Sequence, residues 1–182
     1  MVVDQIEDCK IANGIRQLVP VVDGALEALT PYLLDIVSVA SKTVGFPLKT
    51  PKVVKPVIVV APKKSKLSNS WTKGGIHRDF DCVETSGVYS FMLFLDEVTA
   101  ENGAIEFWKD SKLCGPLEKK CPERAINKAG LASEVATGPK AYVMVWDARI
   151  LHRSLPNKSQ NQRLTLQWLV TGVKGPSITV FS

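Results

Sequence analysis

Histidine is nearly absent from this chain: its 182 residues include two, His77 and His152. That scarcity excludes any site built on three or more imidazoles and makes the place of each histidine informative. Cysteine is sparse too. Cys9, Cys82, Cys114 and Cys121 fall at no zinc-ligand spacing and are too few for a dense disulfide framework, so a reducing compartment is the expectation. No run approaches the roughly 18 consecutive apolar residues of a membrane span. The opening MVVDQIEDCK carries acids where a secretory leader needs a basic and then an apolar stretch. These absences predict a soluble, intracellular protein of the cytoplasm with no membrane span.

What is present is ordinary for a globular chain, with 45% hydrophobic and 23% charged residues. The length suits one domain, read as residues 1–182, with a sizeable core. A net charge of +5 favours anionic partners, whether carboxylates, phosphates or nucleic acid, without choosing among them.

Between Asp4 and about Lys42, apolar residues return every three or four positions: Ile6, Cys9, Ile11, Ile15 and Leu18, then Val22, Leu26, Leu29, Leu33 and Ile36. This period predicts two amphipathic helices, broken near Pro20 and bent or interrupted around Pro31, which support one face of a sheet over residues 1–45 and carry no chemistry. From PVIVVA onward the pattern changes to short, β-branched runs. Strands are predicted at about 57–61, 77–84, 88–95, 104–107, 141–146, 164–170 and 178–181. Helices followed by strands make an α+β chain with a β-sandwich or barrel core over residues 56–182.

Two segments interrupt this pattern. Residues 61–75, APKKSKLSNSWTKGG, form a basic loop leading into His77; Lys63, Lys64, Lys66 and Lys73 read either as a solvated face or as a draw for an anionic substrate. Residues 109–139 form a long insertion, either an ordered lid or a mobile segment.

Residues two apart on a strand share a face, so GGIHRDFD places His77 and Asp79 together with Arg78 on the other side. An isolated H-x-D is common and weak by itself. His152, just beyond the apolar run AYVMVW, adds a second imidazole. Two histidines and a carboxylate are the facial set of non-haem Fe(II) oxygenases, which leaves three positions on the metal open. Arg163 opens the next apolar run, where a guanidinium at a barrel mouth calls for an anionic partner.

HRD, FLDEVTAENGAIEFWKDSK and HRSLPNKSQNQR together resemble the ordered motifs of the Fe(II)- and 2-oxoglutarate-dependent dioxygenases, and within them the phytanoyl-CoA dioxygenase-like group. The resemblance covers about residues 56–170. It implies a double-stranded β-helix of jelly-roll or cupin-like form, with N-terminal helices packed on one sheet. It also implies Fe(II) held by His77, Asp79 and His152 as metal ligands and catalytic residues, with Arg163 bidentate to the distal carboxylate of 2-oxoglutarate. Ser154, at the family's H-x-S position, and Thr165, on the strand face of Arg163, are its candidate hydrogen-bond partners. The implied reaction consumes O2, converts 2-oxoglutarate to succinate and CO2, and hydroxylates a substrate C–H bond, with ascorbate as a potential stimulant. Halogenases of the superfamily lack the carboxylate, so Asp79 points to hydroxylation.

The chain departs from the group at two places. Ile76 stands where tryptophan often precedes the first histidine, and WKDSK lacks the usual proline-glycine and histidine, so the group's substrate does not carry over. A small molecule, anionic in one version, is the plain choice of substrate; a protein or a nucleotide are alternatives. A prolyl-hydroxylase-like protein hydroxylase fits less well because that family uses lysine where Arg163 stands, and nucleic-acid demethylases carry a second arginine where Leu169 stands. A cupin-type isomerase needs more histidines. A non-catalytic β-barrel scaffold predicts lost ligands, whereas all are present. Asp147 and Arg149 read as turn residues or as contacts to His152, and Trp108, Trp146 and Trp168 read as core.

Overall fold

The computed structural model describes residues 17–21, 23–45, 48–65, 75–79, 87–113 and 122–173. Its elements in chain order are β1 (Gln17–Pro20), α1 (Asp23–Val44), β2 (Leu48–Ala61), β3 (Tyr89–Phe94), β4 (Ile105–Trp108), a 3₁₀ turn (Lys109–Leu113), α2 (Pro122–Lys128), β5 (Glu134–Ala136), β6 (Val143–Asp147), β7 (Leu151–Ser154) and β8 (Arg163–Val173). The strands form two antiparallel sheets, one ordered β1-β2-β8-β3-β6 and the other β5-β4-β7. No helix among the described residues is long and apolar enough to cross a membrane.

Two expectations of the helical segment give way. Gln17–Pro20 is not the end of a helix but a strand, paired with β2 from Gln17↔Val60 to Pro20↔Val57. Pro31 does not interrupt the second helix: α1 runs through it for 22 residues, and beside it the Thr30 hydroxyl donates to the Leu26 carbonyl at 2.7 Å. Helical periodicity misled at 17–20 because a short strand at the sheet edge has too few residues to display its own period.

Strand β2 is also longer than its apolar half. It starts at Leu48, ahead of the run 57–61, and carries Pro51 and Pro56. Its register on β8 slips between Leu48 and Lys52 and again between Val54 and Val57, at both prolines. Irregularities of this kind accommodate a residue that cannot donate to the ladder. The insertion at 109–139 is likewise built of elements: the 3₁₀ turn, α2, and β5 paired with β4. The expected strand at 178–181, residues 80–84 of the strand after His77, and the helical pattern before residue 17 lie outside the described residues.

Alternation on the large sheet separates two cores. Tyr89 and Phe91 of β3, Val145 of β6 and Trp168 and Val170 of β8 bury against Leu33 and Val37 of α1. The intervening residues, Met92 and Phe94 of β3 and Met144 and Trp146 of β6, face Ile105 and Phe107 of the small sheet. A strand buried on both faces reads as continuously apolar, which is why YSFMLF stood out in the sequence while its single inward polar residue, Ser90, did not. A third cluster, Ile76, Trp108, Ile126 and Leu151, sits under α2.

Leu33 is 2% exposed at the contact of α1 with the sheet. Leu33→Ala is expected to cost about 2–5 kcal/mol, seen as a lower midpoint in denaturant; an unchanged midpoint would mean that α1 does not hold this face.

Candidate metal centre

Among the described residues 75–79, His77 forms an isolated bridge and not a strand, yet the segment is fixed on three sides. His77 and His152 exchange backbone hydrogen bonds, each N–H to the other's carbonyl at 3.0 Å, so the segment is pinned to β7. Gly75 takes the turn before it with φ of 75°, a conformation that glycine adopts without strain. Arg78 points away from the histidines; its Nε donates to the Arg149 carbonyl at 2.7 Å and its Nη2 to the Ser111 carbonyl at 2.9 Å. Ser111 Oγ in turn accepts the Leu151 N–H at 2.7 Å, which ties the same clamp to β7.

This pairing brings the imidazole rings to a centroid distance of 4.3 Å. Asp79 lies between their outer edges, with Oδ1 3.8 Å from His77 Nε2 and 3.4 Å from His152 Nε2. One ligand atom from each of the three lies within 4.8 Å of the others. His77 Nδ1 is 2.9 Å from the Gly75 carbonyl and His152 Nδ1 is 3.0 Å from the Ile150 carbonyl. A carbonyl only accepts, so each Nδ1 carries a hydrogen and each Nε2 is the ring atom turned toward the carboxylate. Lone pairs and an anion converging on one space require a cation there, either protons on the rings or a metal. Two imidazole nitrogens and one carboxylate oxygen are the donor set that suits Fe(II), so the residues present fit that ion.

The second carboxylate oxygen is held from the large sheet. Ser90 Oγ of β3 donates to Asp79 Oδ2 at 2.5 Å, and Gln167 Nε2 of β8 lies 3.4 Å from the same atom. Burial alone would raise the Asp79 carboxyl pKa; the charge and hydrogen bond of His152, the charge of His77 and the Ser90 hydroxyl outweigh it and hold the group well below the usual carboxylate range. Phe107 stacks on the His152 ring at 5.7 Å and Trp146 meets it edge-on at 5.5 Å, so apolar surfaces fix the plane of that imidazole. Neither Ser90 nor Gln167 was singled out in the sequence; Ser90 is a small polar residue inside the apolar run YSFMLF, and Gln167 continues the period-two polar series of Arg163 and Thr165, and these are the signals that could have found them.

Arg163, 1% exposed, opens β8 on the face that Thr165 and Gln167 share. Its Nη1 donates to Thr165 Oγ1 at 3.0 Å and its Nη2 to the Gly103 carbonyl at 2.7 Å. At about 3.4 Å per residue, Arg163 sits about 14 Å along the strand from Gln167, with Thr165 midway. Ser154 is buried on β7, two residues beyond His152 and on its face of the strand. Asp147 and Arg149 form an ion pair within their own turn, Arg149 Nη2 to Asp147 Oδ2 at 2.6 Å. The Arg149 carbonyl anchors Arg78 and so ties this turn to the centre. Trp108, Trp146 and Trp168 are core. Of the basic loop, Lys63 and Lys64 are exposed at a turn, while Lys66 and Lys73 lie outside the described residues.

The asparagine and second serine of HRSLPNKSQNQR organise the loop from β7 to β8. Buried Asn157 donates through Nδ2 to the carbonyls of Ala61 and Asn161 at 2.9 and 2.8 Å. Its Oδ1 accepts from the backbone N–H and the hydroxyl of Ser159 at 2.9 and 2.7 Å. This clasp sets where β8 begins and therefore where Arg163 enters the interior.

A sequence profile of the phytanoyl-CoA dioxygenase (PhyH) family matches residues 52–165, which include the triad and Arg163. The chain belongs to this family. A comparison with curated proteins found no match. Among solved structures, the phytanoyl-CoA dioxygenase family member described here is similar to the non-haem α-ketoglutarate-dependent epimerase SnoN from nogalamycin biosynthesis, with a TM-score of 0.66 and 14% identity over 88% of this chain and 65% of that one. It is similar to EvdMO1 with a TM-score of 0.67 and 21% identity, covering 94% of this chain and 39% of the other. It also resembles EvdO2 from Micromonospora carbonacea var. aurantiaca, solved with 2-oxoglutarate, with a TM-score of 0.60 and 15% identity over 93% of this chain and 75% of that one. At these identities the likeness establishes the shared fold. The chain spans about two thirds of the length of SnoN and about two fifths of EvdMO1.

A groove of about 580 Å³ runs between α1 and the edge of β6, lined by Ile36, Val39, Tyr142 and Val145 among others. None of the triad lines it, and the convergent polar groups lie elsewhere.

Asn157→Ala removes two donors and an acceptor from a fully buried position. The expected loss is about 1–3 kcal/mol for the groups left unsatisfied, or several degrees in melting temperature. A wild-type melting temperature would show that the clasp contributes nothing.

Proposed function

We propose that this member of the phytanoyl-CoA dioxygenase family is an Fe(II)- and 2-oxoglutarate-dependent oxygenase that oxidises a C–H bond of a small molecule, with hydroxylation as the outcome. The observation that carries the reading is the convergence of His77 Nε2, His152 Nε2 and Asp79 Oδ1 with both Nδ1 atoms already engaged. The two sheets, read with the shared fold, are assigned to the double-stranded β-helix, one domain over residues 1–182 with α1 as its helical support.

His77, Asp79 and His152 would hold the iron, and Arg163, with Thr165 and Ser154 beside it, would bind the distal carboxylate of 2-oxoglutarate. When bound, iron and 2-oxoglutarate supply O2 activation coupled to decarboxylation to succinate and CO2. The chain's own part is positional. The Gly75 and Ile150 carbonyls keep both imidazoles in the ligating tautomer. Thr165 and the Gly103 carbonyl fix the guanidinium so that little side-chain freedom is lost when an anion binds. Phe107 and Trp146 keep water from one side of His152.

SnoN is described as a non-haem α-ketoglutarate-dependent epimerase, so this fold carries outcomes other than hydroxylation; hydroxylation is proposed here because Asp79 fills the position that halogenases leave free for chloride. A scaffold that had lost its chemistry would not need all four charged or ligating groups. The buried setting of His152 and Arg163 also favours a small substrate entering the interior over a docked protein chain.

Anaerobic titration of the protein with Fe(II) and 2-oxoglutarate tests this reading through the visible charge-transfer absorption of the chelate. A band is expected in the wild type and none in His152→Ala. Arg163→Leu should require at least about tenfold more 2-oxoglutarate, the cost of removing a charge-assisted partner. Absence of the band in the folded wild type would refute the oxygenase reading in favour of a non-catalytic barrel.

A further inference from the structure

The two oxygens of Asp79 are treated differently by the fold. Oδ1 faces both imidazole Nε2 atoms from the small-sheet side, whereas Oδ2 is met from the large sheet by Ser90 and Gln167. Ser90 and Gln167 occupy neighbouring strands, since Gln167 pairs with Met92 and Ser90 with Leu169, and both reach the carboxylate from the inward face. Ser90 is 0% exposed, so no bulk water stands ready to replace its hydroxyl.

We infer that Ser90 and Gln167 are positioning residues that clamp the outer oxygen of Asp79, making it a one-oxygen ligand and preserving a coordination position that a two-oxygen carboxylate would occupy. This rests on the Fe(II) reading of the triad. A carboxylate binds a metal through one oxygen or through both, and the second mode removes a site from the open face. An oxygen that accepts a short O–H···O bond in a buried setting has one of its two lone-pair directions taken and part of its charge offset, which makes it the poorer ligand of the two. The Ser90 bond at 2.5 Å is the principal restraint. Gln167, at 3.4 Å to Oδ2 and 3.5 Å to Oδ1, is the weaker one and limits rotation of the carboxylate plane. The clamp also joins the two sheets through the metal centre, because Asp79 follows His77 on the segment bound to β7 while its restraints stand on β3 and β8.

Co(II) binding to the full chain without 2-oxoglutarate provides the test, read as the dissociation constant and the visible ligand-field spectrum, with the melting temperature of the metal-free protein as the control for folding. Ser90→Ala should raise the dissociation constant by about 10–100-fold, the usual effect of removing an outer partner of a ligand, and change the shape of the spectrum. Gln167→Leu should shift both in the same direction by less, and Ser90→Thr, which keeps the hydroxyl, should return them to wild type. If wild type binds Co(II) and both Ser90→Ala and Gln167→Leu match it in affinity and spectrum, the clamp is overturned and the triad stands. A Ser90→Thr protein that melts as wild type yet keeps the altered spectrum also overturns it. Failure of the folded wild type to bind Co(II) defeats the underlying metal reading instead.

Discussion

Everything in this structure that bears on chemistry depends on one electrostatic constraint: two imidazole lone pairs and an ionised carboxylate point into the same small volume. Left without a cation, that arrangement is repulsive, and burial makes it more so because the surroundings screen poorly. The backbone enforces it nonetheless. The carbonyls of Gly75 and Ile150 each take an Nδ1 hydrogen, and the mutual bonds of His77 and His152 leave the two rings tilted against each other with centroids 4.3 Å apart. A site of this kind is complete only when a positive charge occupies it.

The fold's contribution is to hold that volume from two directions. The small sheet supplies His152 and, by a single bridge, His77; the large sheet supplies the partners of Asp79 and, further along β8, Arg163. Inward positions of β8 thus run from a guanidinium through a hydroxyl to an amide, a polar track on a strand whose other face is apolar core under α1. The short connections that matter most are fixed by buried polar residues rather than by regular structure, with Arg78 locking the turn at Arg149 and Asn157 locking the loop before Arg163.

Much of this was legible from residue order. His77 and Asp79 two apart, a second histidine after an apolar run and an arginine opening the next one are local features, and the strands near them follow from period-two apolar patterning. What escaped was of two kinds. Short or proline-bearing strands, β1, β7 and the first half of β2, lack enough residues or enough apolar continuity to announce themselves. Cross-sheet partners such as Ser90 and Gln167 are identifiable only once register is known, because their target is far away in sequence and the contact is set by how β3 and β8 pair. The helical reading of residues 17–20 failed for a related reason: a few apolar residues fit either period, and pairing with β2 decided the matter.

The most direct test of the account is a crystal structure of the full chain grown anaerobically with Fe(II), using anomalous scattering at the iron edge to locate the ion. The account expects one iron bound by His77 Nε2, His152 Nε2 and a single oxygen of Asp79, with the remaining positions open to solvent or cosubstrate. Iron bound elsewhere, or a fully formed triad that leaves the ion in solution at saturating concentration, would contradict it.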